Sequence, residues 1–402
     1  MSSHVSIFDI PHITEEIGSK LNRQELVSCT LVNKIFYEMF KPLLWRELTF
    51  EQPTDGNEIV IDPAQKELLI DNIHMAKILC IEVSCRYKGL LNLLSQSCNR
   101  LRVLKCIMSS KDHGNVSSSM SDILNITTMF LKSLPLTLKI LYMFWIQPSQ
   151  FTERTAFQFT EQNWPEVYPS LEVATLSMSL EDGVEENPFF QFLQICPALK
   201  KLSCPRLANT EAFGKFVSLL ETPRLLPELK EIDIGWQPIG DHWSRFILAM
   251  KTRMKGFTTD VDTTLLSPIA ISALTTHWSR TVESLRMPRM YCDNIQLILT
   301  TCTNLRKFEC LWTLDRDASQ VNDEAVEPEN WTCVRLEEFK LVFVDGRIDS
   351  AEEPLRSMQE KRAVGRRINQ AYKQLGRLTN LKKLTVGWRT SVAFSVPIST
   401  YP

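Results

Sequence analysis

Eleven cysteines and six histidines are the side chains in this 402-residue sequence best suited to hold a metal, close a disulfide or attack a substrate. Six of the cysteines bound three segments of equal length: CNRLRVLKC (98–106), CPALKKLSC (196–204) and CTNLRKFEC (302–310), all of the form C-x-x-L-x-x-[LF]-x-C. Zinc ligands usually come in close C-x2-C or C/H spacings, since several donors must converge on one ion. Those spacings are absent here. The histidines, at 4, 12, 74, 113, 242 and 277, are scattered. The chain carries no H-E-x-x-H, no G-x-S-x-G nucleophile turn and no glycine-rich phosphate loop of either common type. Thirteen glycines are also few for loops that approach phosphates closely. No catalytic residue, cofactor site or metal ligand is assigned, and the chain is expected not to be an enzyme.

A structural period accounts for the cysteine spacing instead. Upstream of each pair lies an apolar stripe: Leu91, Leu94 and Cys98; Phe189, Phe192, Leu193 and Cys196; Ile295, Ile298, Leu299 and Cys302. Steps of three, four and seven put each set on one side of a helix, so the first cysteine ends a buried helical face. Leu-x-x-Leu-x-Cys comes next, the strand signature of a leucine-rich repeat with a compact thiol in its last apolar slot. The same signature starts at Ile78, Leu101, Leu138, Leu171, Leu199, Leu229, Met254, Val282, Leu305, Leu336 and Leu381, at intervals of 23 to 45 residues. Such intervals leave room for a helix and two loops per unit. The fold expected is therefore α/β, a leucine-rich-repeat solenoid with a curved parallel sheet and outer helices, in which each unit buries its core against the next. Register alone then explains Cys98, Cys106, Cys196, Cys204, Cys302, Cys310 and Cys333.

Bulk properties agree with a globular chain: 44% hydrophobic, 23% charged, formal net charge -2. Near neutrality gives no global field for nucleic acid or an anionic membrane, so neither is expected as a partner. The densest apolar run, LKILYMFWI (138–146), is far short of the ~18 residues of a membrane span. The opening residues, MSSHVSIFDIPHITEE, do not resemble an export signal. With an odd cysteine count, this predicts reduced thiols and a cytoplasmic or nuclear location.

Residues 7–50 break the period. Pro11 can open a helix carrying Ile13, Ile17 and Leu21 at intervals of four. Asn22 and Glu25 form a capping-box variant that starts a second helix. A third carries Val32, Ile35, Phe36, Met39 and Phe40, and after it come Pro42 and Leu43-Leu44-Trp45. Three short helices cannot bury that much apolar surface among themselves. Either a partner covers the remainder, or the neighbouring solenoid does and the helices are an end cap.

The order Ile10-Pro11, Ile13, Ile17, Leu21, Glu25-Leu26, Cys29, Leu31-Val32-Asn33-Lys34, Phe36-Tyr37 and Leu44-Trp45 resembles an F-box. The chain departs from that pattern at His12, Thr14 and Asn33, where an acid, an apolar residue and a cysteine are usual. F-box proteins that pair the motif with leucine-rich repeats are substrate receptors of the SCF ubiquitin ligase. The resemblance implies that the helices dock on the Skp adaptor and through it a cullin scaffold, while the repeats hold a target protein for ubiquitination. By the same resemblance Ile10, Pro11, Ile13, Ile17, Leu26, Val32 and Trp45 are candidate adaptor contacts. For each the alternative is internal packing, and Trp45 also reads as a hinge anchor into the first repeat. The competing function is an adaptor-independent interaction scaffold.

On the repeats, the third and fifth slots of each motif point to the open strand face, because strand side chains alternate. Candidate target contacts there are Tyr142, Lys201, Glu231, Asp233, Arg286 and Lys307. Three polar or charged stretches read as solvated: the acidic loop 315–329, the basic helix 361–377 and the flexible insertion 109–122. The organisation expected is 7–50 helical, 51–75 connector, 76–390 solenoid and 391–402 tail.

Overall fold

The computed structural model describes residues 11–50, 63–84, 98–109, 131–132, 134–146, 167–177, 188–204, 210–222, 225–234, 242–250, 254–259, 268–314, 330–343 and 373–388. The chain forms two compact units, one of residues 1–177 with 183–199 and one of 178–182 with 200–402.

The first unit opens with α1 (Pro11–Lys20), α2 (Arg23–Thr30) and α3 (Lys34–Leu44). Strands β1 (Glu47–Phe50), β2 (Ile78–Ser84), β3 (Val103–Ser109), β4 (Ile140–Ile146) and β5 (Val173–Ser177) come after them. Each pairs with the next in parallel. Helix α4 (Pro63–Asn72) lies between β1 and β2, and α5 (Pro188–Gln194) comes after β5.

The second unit holds β6 (Lys201–Cys204), α6 (Thr210–Glu221), β7 (Glu231–Ile234), α7 (His242–Ala249), β8 (Gly256–Thr259), α8 (Pro268–His277), β9 (Ser284–Tyr291) and α9 (Cys292–Thr301). Then come β10 (Lys307–Leu314), β11 (Glu338–Phe343) and β12 (Lys383–Trp388). These strands too are parallel, each paired with its sequence neighbour. In both units the fold is α/β, built of parallel strands and helices in a solenoid-like succession.

The repeat motif works through one recurring backbone device. The N–H groups of its second and third residues both donate to the second residue's carbonyl in the preceding copy. Arg102 and Val103 bond to Lys77 O at 2.9 and 3.0 Å, and Glu337 and Glu338 bond to Arg306 O at 2.7 and 2.9 Å. The strand therefore begins at the third slot, as at Val103, Ile140, Lys201 and Lys307. The first and fourth slots turn inward: Leu101, Leu104, Leu138, Leu141, Leu305 and Phe308 are at most 3% exposed. Cysteine fills the sixth slot as a small core residue, with Cys106, Cys204 and Cys310 all buried. Of the predicted stripes, Phe189, Phe192, Leu193 and Cys196 are buried, as are Ile295, Ile298, Leu299 and Cys302. Leu91 and Leu94 lie outside the described residues.

Two departures from the expected register share one cause. The copy expected from Ile78 in fact starts at Ala76: Ile78 pairs with Val103 in the third slot, and Ala76 is fully buried in the first. A further copy, WRELTF (45–50), precedes it, with Glu47 opposite Ile78 and Leu48 buried opposite Leu79. Alanine and tryptophan in a slot that otherwise holds leucine, methionine or valine hide the motif from a leucine-based reading. The strands thus begin at residue 47, inside the segment assigned to the helical start, and the connector contains α4, whose Leu69 is buried beside Ile73. The stretch 109–122 apart from Ser109, the acidic loop 315–329 and most of 361–377 lie outside the described residues; within the last, Leu375 is half-buried and Gln374 is buried.

Packing in the second unit centres on rings. Phe246 on α7 lies 5.7 Å from Phe213 and Trp243, 5.8 Å from Phe257 and 6.0 Å from Trp278, centroid to centroid. Two helices, a strand and the end of α8 thereby share one fully buried aromatic cluster, where edge and tilted ring contacts add to area burial.

Candidate partner-docking surfaces

The helical start is capped tightly. Asn22 Oδ1 accepts the Glu25 N–H at 3.0 Å while the Asn22 N–H donates to Glu25 Oε2 at 2.7 Å, a complete capping box that begins α2. Asn33 Oδ1 accepts the Phe36 N–H at 2.9 Å and begins α3. The asparagine that departs from the F-box pattern is thus a helix cap, a role open to its short side-chain carbonyl and closed to a thiol. Thr14, the other departure on α1, is buried. Gly18 lets α1 approach α3, since a Cβ there would overlap Leu43 Cδ1.

These helices leave an apolar corner uncovered where α2 meets α3. Leu31 is 80% exposed, Ile35 69% and Val32 63%, with Val27 one turn before Leu31 also exposed. Phe36 and Phe40 turn the other side of α3 inward, their rings 5.7 Å apart, and Phe40 is buried. The wide apolar arc of α3 therefore divides, one part packing the trio and the other facing solvent. Contiguous exposed aliphatic residues of this kind mark interaction surfaces.

The predicted adaptor contacts scatter across that arrangement. Val32 lies in the corner, and Ile17 is exposed on α1. Ile13 is half-buried, and Leu26 is buried on the inner side of α2. Trp45 is the C-cap of α3 and the first slot of the earliest repeat, so it joins helices to strands. Pro11 begins α1, and Ile10 lies outside the described residues. Leu31 and Ile35, the most exposed apolar residues of the corner, were not among the predicted contacts. Part of their signal was present in sequence, because Leu31 lies four residues after Val27 at the end of α2, and Ile35 lies about 140° round α3 from Phe40.

Helix α1 is tied to the repeats by charge. Glu15 faces Lys77 Nζ at 3.0 Å and Arg46 Nη1 at 3.6 Å, the second-slot residues of the first two copies. The Lys77 hydrogen bond and the two cations hold the Glu15 carboxyl below the usual carboxylate range.

Of the six target-contact candidates, the five in the second unit bond to one another or to strand neighbours. Lys201 pairs with Glu231 across β6 and β7 at 3.1 Å. Ser203 Oγ donates to Asp233 Oδ2 at 2.9 Å. Arg286 and Lys340 both reach Glu309, at 3.5 and 2.6 Å, and Lys307 pairs with Glu338 at 2.7 Å. Directly opposed slots bring these charges together, because parallel register places equal positions side by side. Tyr142, in the first unit, lies under Lys105 Nζ, 5.9 Å from its ring centre.

The thiols sit where packing places them. Burial pushes Cys98 and Cys302 up to about 11 and Cys106 and Cys333 up to about 12, far from the nucleophilic range. Among the described residues no group of three or more His, Cys, Asp or Glu is placed to hold a metal ion, and no helix is long and apolar enough to cross a membrane.

No protein-family model matches the chain, and no curated protein matches it. Among solved structures, the crystal structure of the Rad7 and Elc1 complex in yeast is similar over 43% of this chain and 42% of that chain, with 22% sequence identity and a TM-score of 0.31. The similarity thus spans less than half of that chain. By its strands and helices, the molecule belongs to the class of α/β proteins built from parallel-strand repeats.

Proposed function

We propose that this chain is the substrate-recognition subunit of an SCF-type ubiquitin ligase, docking through α1–α3 on the Skp adaptor and holding a target protein on its repeats. The observation that carries the reading is the exposed corner of Val27, Leu31, Val32 and Ile35. It sits on a capped three-helix segment whose residue order resembles an F-box, joined directly to repeat strands through Trp45. An end cap serving only its own array would turn that surface inward, since leaving it in water forgoes ~25 cal/mol per Å² of apolar area.

On this reading the chain has no catalytic residue. It accelerates transfer by holding the target near a ubiquitin-charged enzyme recruited elsewhere, converting a bimolecular encounter into an effectively intramolecular one. It works in the cytosol or nucleus. Co-purification with the Skp adaptor and a cullin tests it: a stable complex that survives gel filtration is expected. A chain that binds target proteins yet never retains the adaptor would instead be an independent interaction scaffold.

A further inference from the structure

The open strand faces of the two units differ in kind. In the second unit many outward slots carry charges that are answered across the strands, as in the Lys201–Glu231, Lys307–Glu338 and Lys340–Glu309 pairs. In the first unit the third-slot row starts with the exposed Glu47 and then reads Ile78, Val103, Ile140 and Val173, each the register partner of the next. Further along, Ile107 lies opposite Phe144, and both are more than one-third exposed. Tyr142 stands between these rows with Lys105 over its ring.

Immediately before the third-slot row runs a basic one. The second slots of the first four copies are Arg46, Lys77, Arg102 and Lys139, on successive strands about 4.8 Å apart. Two carboxylates answer them: Glu15 at Arg46 and Lys77, and Glu172 at Lys139 at 3.7 Å. Four cations against these two anions and the neighbouring Glu47 still leave the rim positive, with Arg102 exposed at its centre and its charge felt by the Glu15 carboxyl. An occupant must cover aliphatic and aromatic side chains and supply negative charge along one edge. A polynucleotide would satisfy the rim but leave Ile78, Ile107, Ile140 and Phe144 uncovered. A protein segment that mixes acids with large apolar residues satisfies both.

We infer that the β2–β5 face of the first unit is the target-holding surface, and that it takes an extended target segment rich in acidic and aromatic or aliphatic residues. This rests on the receptor reading above. Recognition divides between apolar contact on the third-slot and Ile107–Phe144 rows and charge pairing on the rim, so the acids steer and register the segment while the rings anchor it.

The test uses the full chain and fluorescein-labelled dodecapeptides that alternate Phe or Leu with Asp or Glu, read by fluorescence anisotropy. Controls replace the acids with Lys or Arg, or the apolar residues with Ser, and a single-stranded oligonucleotide supplies a plain polyanion. The acidic-apolar set binds at least about tenfold more tightly than either peptide control. Phe144→Ala and Arg102→Glu each weaken it by about tenfold, and Arg102→Glu also flattens its salt dependence. Arg245→Ala on α7 of the second unit, whose guanidinium pairs with Glu221 on α6, leaves it unchanged. Equal binding of the basic peptides, indifference to Phe144→Ala, or tighter oligonucleotide binding that only Arg102→Glu disturbs would each overturn the assignment. Adaptor capture is measured on the same preparations. A chain that captures adaptor but shows no peptide preference defeats this inference alone, whereas one that prefers the acidic-apolar peptides without capturing adaptor defeats the receptor reading.

Discussion

Replacing Leu31 by aspartate asks directly whether the α2–α3 corner binds a partner. Leu31 is 80% exposed, so the substitution removes few internal contacts and should change folding stability by no more than about 0.5 kcal/mol. If the adaptor buries this side chain, most of the ~1.5–3 kcal/mol available from a leucine is lost on substitution. Taking the lost term as ~2 kcal/mol predicts about 30-fold weaker adaptor binding, before the cost of desolvating the new carboxylate is added. Ile35→Asp, on the first turn of α3, should act similarly. Leu26→Ala provides the contrast: it is buried on the inner side of α2, so it should lower the melting temperature, by ~2–5 kcal/mol of stability, more than it changes contact with the adaptor. Isothermal titration against purified Skp adaptor, with thermal melts of each variant, separates the two effects. Binding by Leu31→Asp within about threefold of the unsubstituted chain, with the fold intact, would refute the corner as a docking surface.

The packing and the charges carry further expected outcomes. Asn22→Ala removes one arm of the capping box and should cost ~1 kcal/mol, seen as a lower urea midpoint with an unchanged slope. Phe246→Ala empties the centre of the aromatic cluster and should cost ~3–5 kcal/mol in the same assay. The Glu15 carboxyl should titrate below the ordinary range by carbon-13 NMR, and Lys77→Met should return it towards that range because the hydrogen bond is its largest cause. Buried Cys106 keeps its proton in the native state up to about 12, whereas the unfolded chain releases it near 9, so its contribution is complete below pH ~9 and is lost as pH rises through that interval. Three pH units correspond to ~4 kcal/mol, and Cys106→Ala should flatten the alkaline fall in stability between pH 9 and 12. Native-state titration with Ellman's reagent should likewise find Cys29 and Cys80, both half-buried, faster than Cys106 or Cys310.

Much of this molecule was legible in one dimension because repeat strands are written in a local code. Leu-x-x-Leu-x-Leu fixes which residues turn inward over six positions, and those positions need only their counterparts in the next copy to become a core. Hence Cys196 and Cys302 could be read from the sequence as the ends of helical stripes. The capping box at Asn22 and Glu25 is equally local. Where the code used an unexpected residue it was misread: one copy was started two residues late, at Ile78 instead of Ala76, and the copy that starts at Trp45 was missed, because neither alanine nor tryptophan looks like the aliphatic residue expected in that slot.

Tertiary structure decided what depends on side chains far apart in sequence. Whether Leu26 or Leu31 faces water is set by how α2 lies on α3, which periodicity narrows but does not resolve when apolar residues cover most of a helix. Whether Lys201, Glu231, Arg286 and Lys307 stand free or bonded is set by register across strands, between residues 23 to 31 positions apart, and only pairing distances reveal that these charges answer one another. The basic rim has the same origin. Arg46, Lys77, Arg102 and Lys139 are isolated cations along the chain, and they become one row only because every copy returns its second residue to the same edge of the sheet.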